Sequence, residues 1–251
     1  MQTRGTRFVV LTTQRNGSTW VMSVLNSLDG VSGQGELFLP RPRVSERRWD
    51  SDFAYPRYVE SRDQIGRLRP FSVFRYLDRF YASADGAVGF KLMYSQVKSY
   101  PETLFYVVRR RIPTIHLVRQ NHLDVLISFA LKREIGRAHI LAEGDRPTDV
   151  RVDLPLDSLV DDLNRLRRKH DIARRLLRVL RVRHLDVSYE SLAADPSRFG
   201  ELLAFLGIPA DAELARSNIL RTRVGAQGDV VRNYEDVRRT LAGSPFAALL
   251  D

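Results

Sequence analysis

Short apolar runs alternate with longer amphipathic segments along most of the chain. Runs rich in Val, Ile, Leu and Phe predict strands at residues 7–13, 87–92, 112–118 and 182–187. In residues 17–28 and 156–181, apolar residues recur every three or four positions, which predicts amphipathic helices. Strands that alternate with helices favour an α/β fold, in which a central parallel sheet carries helices on both faces.

Length and composition indicate one folded domain. The chain has 251 residues, 43% of them apolar and 28% charged, which is enough to bury one sizeable core. We therefore predict a single domain over residues 1–251. Periodicity is weakest in residues 41–69, which are rich in Pro, Arg, Asp and Tyr. We expect residues 41–85 to form an excursion that covers a substrate site.

The charge is strongly positive and is carried almost entirely by arginine. The formal net charge is +10, and only four of the 40 basic residues are lysines. Arginine suits bidentate recognition of phosphate or sulfate oxygens, although a bias in coding sequence gives the same excess. The basic runs at 109–111 and 165–168 are short and lie among apolar or acidic residues, which is typical of solvated helix faces and strand edges. Nucleic acid is therefore not the expected partner.

Two further features bear on location. The chain has no cysteine, which excludes a disulfide framework and any thiolate nucleophile or metal ligand. It also has no apolar stretch of the ~18 residues that a membrane span needs, and no pattern typical of a signal peptide. We therefore expect a cytoplasmic protein without a transmembrane segment. Its oligomeric state is left open.

The loop after the first predicted strand, residues 12–20, has the composition of an anion site. It reads TTQRNGSTW, so that a cation, a glycine and two hydroxyls precede a helix. Free N–H groups at a helix start bind anions, and Arg15 adds a full charge. The loop is not a Walker motif, because Thr12 replaces the first glycine and no lysine follows Gly17. A nucleotide kinase is therefore disfavoured.

This loop resembles the 5′-phosphosulfate-binding loop of the sulfotransferases that use 3′-phosphoadenosine 5′-phosphosulfate (PAPS). The form T-x-x-R-x-G-S-T-W is that of bacterial carbohydrate sulfotransferases related to trehalose and Nod-factor enzymes. The resemblance implies a P-loop-like sulfotransferase fold with PAPS as sulfuryl donor. It also implies that the 5′-phosphate and sulfuryl oxygens are held by Arg15, Asn16, Gly17, Ser18, Thr19 and the backbone of Trp20.

Two later segments resemble the 3′-phosphate site of the same family. Arg119 ends a predicted strand and Ser128 lies on the following helix, so both can reach one anion if that helix folds back over the sheet edge. Residues 223–229, RVGAQGD, resemble a diverged form of the family loop R-K-G-x-x-G-D. The resemblance implies that Arg223 and Gly225 also bind the 3′-phosphate, although Val224 replaces the family lysine.

A general base is expected shortly after the first helix. Glu36 resembles the glutamate that bacterial carbohydrate sulfotransferases use as base, and His122 is its rival because it begins the helix of Ser128. His116 lies in an apolar strand pattern and is interpreted as a packed residue. Lys91 either faces the same cleft or is an edge residue. The histidines and carboxylates do not have metal-ligand spacing, so no metal is expected.

These observations favour an enzyme that transfers a sulfuryl group from PAPS to a hydroxyl of a carbohydrate or another small molecule. The sugar is favoured by the resemblance alone, and a lipid headgroup or a natural product stays open as acceptor. A second hypothesis is a binding protein for 3′-phosphonucleotides or polyanions that lacks catalysis, which the basic composition supports.

Overall fold

The computed structural model describes residues 5–40, 55–66, 68–135, 150–209 and 225–251. Its strands are β1 (Arg7–Thr12), β2 (Val31–Glu36), β3 (Ala87–Met93), β4 (Thr114–Val118) and β5 (His184–Ser188). Its helices are α1 (Ser18–Asn26), α2 (Arg62–Ile65), α3 (Phe71–Phe80), α4 (Tyr94–Ser99), α5 (Glu102–Arg110), α6 (His122–Ile135), α7 (Leu156–Val179), α8 (Tyr189–Ala194), α9 (Phe199–Leu206), α10 (Gln227–Val230) and α11 (Tyr234–Leu241).

The strands form one parallel sheet in the order β2-β3-β1-β4-β5. The central strand β1 is apolar on both faces, as a strand buried between two layers of helices must be. Phe8 and Val10 belong to one apolar cluster, and Val9 and Leu11 belong to another. The predicted α/β fold, with a parallel sheet and helices on both faces, is confirmed.

Different helices cover the two faces. Apolar residues of α1, α8 and α9 pack on the face of Phe8 and Val10. Those of α3 and α5, together with Leu177 from α7, pack on the face of Val9 and Leu11. Because β1 leads to β2 on one side of the sheet and β4 leads to β5 on the other, the sheet has a topological switch point at the carboxyl ends of β1 and β4. Ligands of open α/β sheets bind at such a point.

The edge strand β2 was not predicted. Its sequence, VSGQGE, contains two glycines and three polar residues, and Val31 is its only strong strand former. It pairs with β3 in parallel, and the register shifts between Gln34 and Glu36. Pairing with the fully buried strand β3 therefore determines a conformation that local propensity does not favour.

The described part of residues 41–85 contributes to the core. Tyr58, Ile65 and Tyr76 are each at most 3% exposed and belong to the cluster under α3 and α5. The segment 55–66 therefore contributes side chains to the hydrophobic core. Residues 41–54 lie outside the described residues, and the role of 41–85 over a substrate site stays a prediction.

The chain divides into two compact units. The first contains residues up to Val118 and those from Ala173 to Ser217, including the whole sheet. The second contains Arg119–Ile172 and Asn218–Asp251, and its apolar cluster is built from α6, α7, α11 and the segments around Val152 and Val231. The single domain over residues 1–251 stays a prediction.

Candidate active site

The loop after β1 is anchored to the neighbouring strand by two side chains. The Thr12 hydroxyl donates to the Leu117 carbonyl over 2.8 Å, and the Asn16 side-chain amide donates to the same carbonyl over 3.3 Å. Thr12 and Asn16 are fully buried. Leu117 lies near the carboxyl end of β4, so the loop is fixed at the switch point of the sheet.

The backbone of this loop forms a cradle at the start of α1. Arg15 and Gly17 both have left-handed backbone conformations, with φ of 65° and 80°. The first turn of α1 contains no acidic residue, and Gly17 supplies no side-chain cap. The N–H groups of the first turn have no acceptor within the helix and point toward its start. This geometry suits an anion, as the sequence predicts.

Gly17 is required by its neighbour as well as by its backbone. A Cβ atom at this position would lie 2.3 Å from Cδ2 of Tyr189. The Tyr189 ring packs edge-on against Trp20 with centroids 5.6 Å apart, and Trp20 also packs against Phe199 at 5.4 Å. The Trp20 side chain is therefore committed to aromatic packing, which leaves its backbone for the cradle.

Glu36 ends β2 and is held from two sides. One carboxylate oxygen lies 3.4 Å from Lys91 Nζ, and the other accepts a hydrogen bond of 3.0 Å from the Gln96 side-chain amide. The Lys91 side chain is 7% exposed and that of Glu36 is 21% exposed. The Gln96 carbonyl oxygen accepts from the Met93 N–H, which fixes the orientation of its amide. Lys91 thus faces Glu36 and is not a solvent-exposed edge residue.

His116 has polar partners that the sequence analysis missed. Its Nδ1 lies 2.6 Å from Asp186 Oδ1, and its Nε2 lies 2.7 Å from the Tyr94 hydroxyl. Asp186 also meets Arg174 at 3.3 Å. Burial lowers the pKa of His116, although the hydrogen bond to Asp186 opposes this effect. His116 is packed in β4, as expected, but within a hydrogen-bonded line of side chains.

In the second unit, Arg119 meets a carboxylate that also binds the 225–229 segment. Arg119 Nη2 donates to Asp124 Oδ2 over 2.6 Å. The other oxygen, Oδ1, accepts a hydrogen bond of 3.1 Å from the fully buried Gln227 side chain. Ser128 lies one helical turn after Asp124 on the same face of α6. The second and third predicted motifs are therefore connected through Asp124.

Gly225 begins a tight turn that only glycine fits. Its φ is 84°, and a Cβ atom there would lie 2.4 Å from Asp229 Oδ2. That carboxylate accepts the Ala226 N–H over 2.8 Å and closes the turn. Arg223, the other residue predicted in this motif, lies outside the described residues. His122, the rival base, has its Nε2 at 3.0 Å from Nδ1 of His170.

Three polar residues of the site, Gln96, Asp124 and Gln227, have no role predicted from the sequence. Each lies close to a predicted strand end or motif. Gln96 lies three residues after β3, Asp124 lies between Arg119 and Ser128, and Gln227 lies inside the RVGAQGD segment. Their proximity to the carboxyl ends of parallel strands is a usable signal for Gln96 and Asp124. Tyr189 carries no such signal, because its contact with Gly17 joins distant parts of the sequence.

Two features of the described residues bear on the predicted location and on the metal. No helix among them combines the length and the apolar character that a membrane span requires. No group of three or more His, Asp or Glu side chains in the same ranges is arranged to hold a metal ion. The cytoplasmic location and the absence of a metal stay predictions.

The chain was compared with known proteins. No protein-family model matches it. It is 24% identical over 261 residues to Nodulation protein H of Rhizobium tropici, with 97% of this chain and 92% of that protein covered. Among solved structures, it is similar to mouse sulfotransferase SULT7A1 complexed with PAP, at 12% identity and a TM-score of 0.46, over 98% of this chain and 87% of that chain.

The similarity to Nodulation protein H extends over nearly the whole of both chains. It agrees with the resemblance to the branch with Nod-factor enzymes, which the loop at residues 12–20 carries. That loop occupies the switch point of a parallel α/β sheet, where ligands of such sheets bind. The loop at residues 12–20 and the similarity to Nodulation protein H both support a PAPS-dependent sulfotransferase family for this chain.

Proposed function

We propose that the protein transfers the sulfuryl group of PAPS to a hydroxyl of a carbohydrate, with Glu36 as the general base. The observation that supports this most is the position of the Glu36 carboxylate. It lies at the carboxyl end of β2, held by Lys91 and Gln96, in the sheet whose central strand leads into the anion cradle.

The donor is bound through its two charged ends. The amides at the start of α1, with Arg15, Ser18 and Thr19, hold the 5′-phosphate and sulfuryl oxygens. Arg119 and Ser128 bind the 3′-phosphate together with Gly225 and Arg223. Asp124 holds the Arg119 guanidinium from one side and so limits its orientation.

In the reaction, the acceptor oxygen attacks sulfur and forms a new S–O bond. The bond from sulfur to the 5′-phosphate oxygen breaks, and its electron pair stays on that phosphate, so that 3′-phosphoadenosine 5′-phosphate (PAP) leaves. The acceptor proton goes to Glu36. Arg15 and the loop amides stabilise the charge that develops on the leaving oxygen.

The contacts of Glu36 are compatible with this role. Each carboxylate oxygen offers about two lone-pair sites. Lys91 occupies a site on Oε1 and Gln96 occupies one on Oε2, so each oxygen retains a site for the acceptor proton. The two contacts also fix the carboxylate in one orientation, which proton transfer in the transition state requires.

The acceptor class rests on resemblance. The loop has the form of the carbohydrate branch, and the chain is similar to Nodulation protein H over nearly its whole length. A lipid headgroup or a natural product would be recognised by different groups around the same base. Acceptor assays therefore test the carbohydrate separately from sulfuryl transfer.

Nucleotide binding is tested first, by thermal shift with PAP, AMP, ATP with magnesium, and heparin. Stabilisation increases with the ratio of free ligand to Kd, so PAP at equal concentration should raise Tm most among the nucleotides and more than heparin does. A larger shift with magnesium-ATP would indicate a kinase, and a larger shift with heparin would indicate a polyanion-binding protein.

Catalysis is tested with labelled PAPS and the variant Glu36→Gln. The amide keeps the size of the side chain but takes no proton, so turnover should fall by ~10² to 10⁴ while PAP binding survives. Glu201→Gln, at an exposed glutamate of α9, is the matched control and should keep wild-type turnover. Near wild-type turnover of Glu36→Gln on an aliphatic hydroxyl would remove Glu36 from this role and make His122 the next candidate.

A further inference from the structure

A line of four polar side chains crosses one face of the sheet in the first unit. Tyr94, the first residue of α4, lies 2.7 Å from His116 of β4, and His116 lies 2.6 Å from Asp186 of β5. Arg174 of α7 meets Asp186 at 3.3 Å. Asp186 and Arg174 are each about one third exposed, whereas the His116 side chain is fully buried.

His116 occupies a position that an apolar residue would fill at lower cost. Its neighbours in β4, Ile115 and Leu117, are apolar core residues. A buried imidazole is tolerated only when both ring nitrogens have partners, and both do. Two residues from two other elements, Tyr94 and Asp186, satisfy the buried ring, and Arg174 from a third element meets Asp186. Packing of the strand alone requires none of these contacts.

The partners determine which nitrogen of His116 carries the proton. Burial opposes ionisation of Asp186, but the contacts with His116 and Arg174 outweigh it and lower the pKa of Asp186, so the carboxylate is ionised at neutral pH and can only accept. His116 Nδ1 must then carry the proton that lies between the two groups. Because the pKa of the buried His116 is lowered, its ring is neutral and Nε2 is an acceptor. The Tyr94 hydroxyl therefore donates its proton to His116.

Tyr94 lies at the carboxyl edge of the sheet, close in sequence to a contact of the proposed base. It directly follows Met93, the last residue of β3, at the carboxyl edge of the sheet. Gln96, two residues further in the same helical turn, donates to Glu36. Burial raises the pKa of Tyr94, so the phenol stays protonated in the physiological range and does not serve as base. Since its proton is directed to His116, the Tyr94 oxygen can meet a ligand hydroxyl only as an acceptor.

We propose that the Tyr94 oxygen accepts a hydrogen bond from a second hydroxyl of the acceptor molecule, next to the hydroxyl that is sulfated. His116 and Asp186 act as positioning residues that keep the Tyr94 proton turned away from the ligand. The site thereby selects polyhydroxylated acceptors over simple alcohols. This inference rests on the proposed sulfuryl transfer and adds a contact that recognises the substrate class.

The experiment compares two acceptors, methyl glucoside and cyclohexanol, with labelled PAPS as donor. The wild-type protein should have a higher kcat/KM for methyl glucoside. In Tyr94→Phe the ratio of the two kcat/KM values should fall about tenfold, as expected for the loss of one hydrogen bond to a substrate hydroxyl. Tyr100→Phe, which removes a hydroxyl from the residue directly after α4, is the matched control and should keep the wild-type ratio.

The outcomes separate this inference from the proposed function. If Tyr94→Phe lowers both kcat/KM values by the same factor, Tyr94 has a structural role and the inference is wrong. If the wild-type protein sulfates cyclohexanol but not methyl glucoside, sulfuryl transfer stands while the carbohydrate acceptor and this inference both fail. If a protein that binds PAP transfers sulfuryl to neither probe, the carbohydrate acceptor and this inference are also both wrong.

An independent measurement tests the direction of the hydrogen bonds. In ¹⁵N spectra of the five histidines, His116 should be the neutral tautomer protonated on Nδ1, and its Nε2 signal should shift in Tyr94→Phe. Protonation on Nε2 would make the imidazole a donor to Tyr94 and would overturn the inference even if Tyr94→Phe alters activity.

Discussion

The contact between Gly17 and Tyr189 makes Gly17→Ala the sharpest test of the cradle. A new Cβ atom would lie 2.3 Å from the Tyr189 ring, and the backbone would keep a φ of 80°. The left-handed conformation costs a residue with a Cβ about 1 to 2 kcal/mol. Overpacking adds about 1 to 3 kcal/mol, because the Tyr189 ring is packed against Trp20, with centroids 5.6 Å apart, and this contact limits its movement. We expect an unfolding free energy lower by about 2 to 5 kcal/mol.

Gly207→Ala is the matched control. Gly207 also has a left-handed backbone, with φ of 69°, but no atom of the described residues lies within 4 Å of the position of its Cβ atom. It should therefore show the backbone cost alone, about 1 to 2 kcal/mol. The difference between the two variants in urea unfolding measures the contact with Tyr189. The double variant Gly17→Ala, Tyr189→Ala should recover about 1 to 3 kcal/mol of that difference in a mutant cycle.

Binding provides the second measurement. A displaced Tyr189 or a shifted loop moves the amides at the start of α1, so calorimetry should give a PAP affinity for Gly17→Ala at least tenfold weaker than for Gly207→Ala. Equal loss of stability in the two glycine variants would refute the packing argument. Wild-type PAP affinity in Gly17→Ala would show that this turn does not hold the nucleotide.

Further predictions concern the phosphate contacts and the buried histidine. Arg119→Ala should lose about 1.5 to 3 kcal/mol of PAP binding and almost no AMP binding by calorimetry, and Asp124→Asn should act in the same direction; equal losses for both nucleotides would contradict the role. Arg15→Ala should lower kcat more than it raises the Kd for PAP, and a rise in KM alone would contradict that. Transfer should continue in EDTA. Burial lowers the pKa of His116 below 6.5, so the unfolded chain takes up a proton that the folded protein does not as pH falls below about 6.5. The free energy of unfolding should therefore fall in this range, and it should fall less in His116→Gln. Urea unfolding midpoints measured against pH test this.

The elements with strong local signals were predictable from the sequence. β1, the loop after it and α1 follow from an apolar run, a turn composition and a helical period, and they form within twenty consecutive residues. β2 was not predictable, because its glycines and polar residues adopt a strand only through pairing with β3. Local patterns carry no information on a partner strand that is more than fifty residues away.

Long-range side-chain contacts account for the other omissions. Gln96 reaches Glu36 across 60 positions, and Gln227 reaches Asp124 across 103. His116 was identified as a packed residue, which is correct for its backbone and its burial. Its partners Tyr94 and Asp186 come from two other elements, and only the register of the sheet brings the three together.

The shared carbonyl of Leu117 has a consequence for how this site tolerates change. The side chains of Thr12 and Asn16, in the loop after β1, both donate to the main-chain oxygen of Leu117 in β4. These two hydrogen bonds do not involve the Leu117 side chain. Any apolar residue that fits the core can therefore replace Leu117 without removing the anchor. Relatives should vary at position 117 while they keep hydrogen-bond donors at positions 12 and 16. Every residue type supplies the carbonyl acceptor, so the sequence of β4 alone does not reveal this contact.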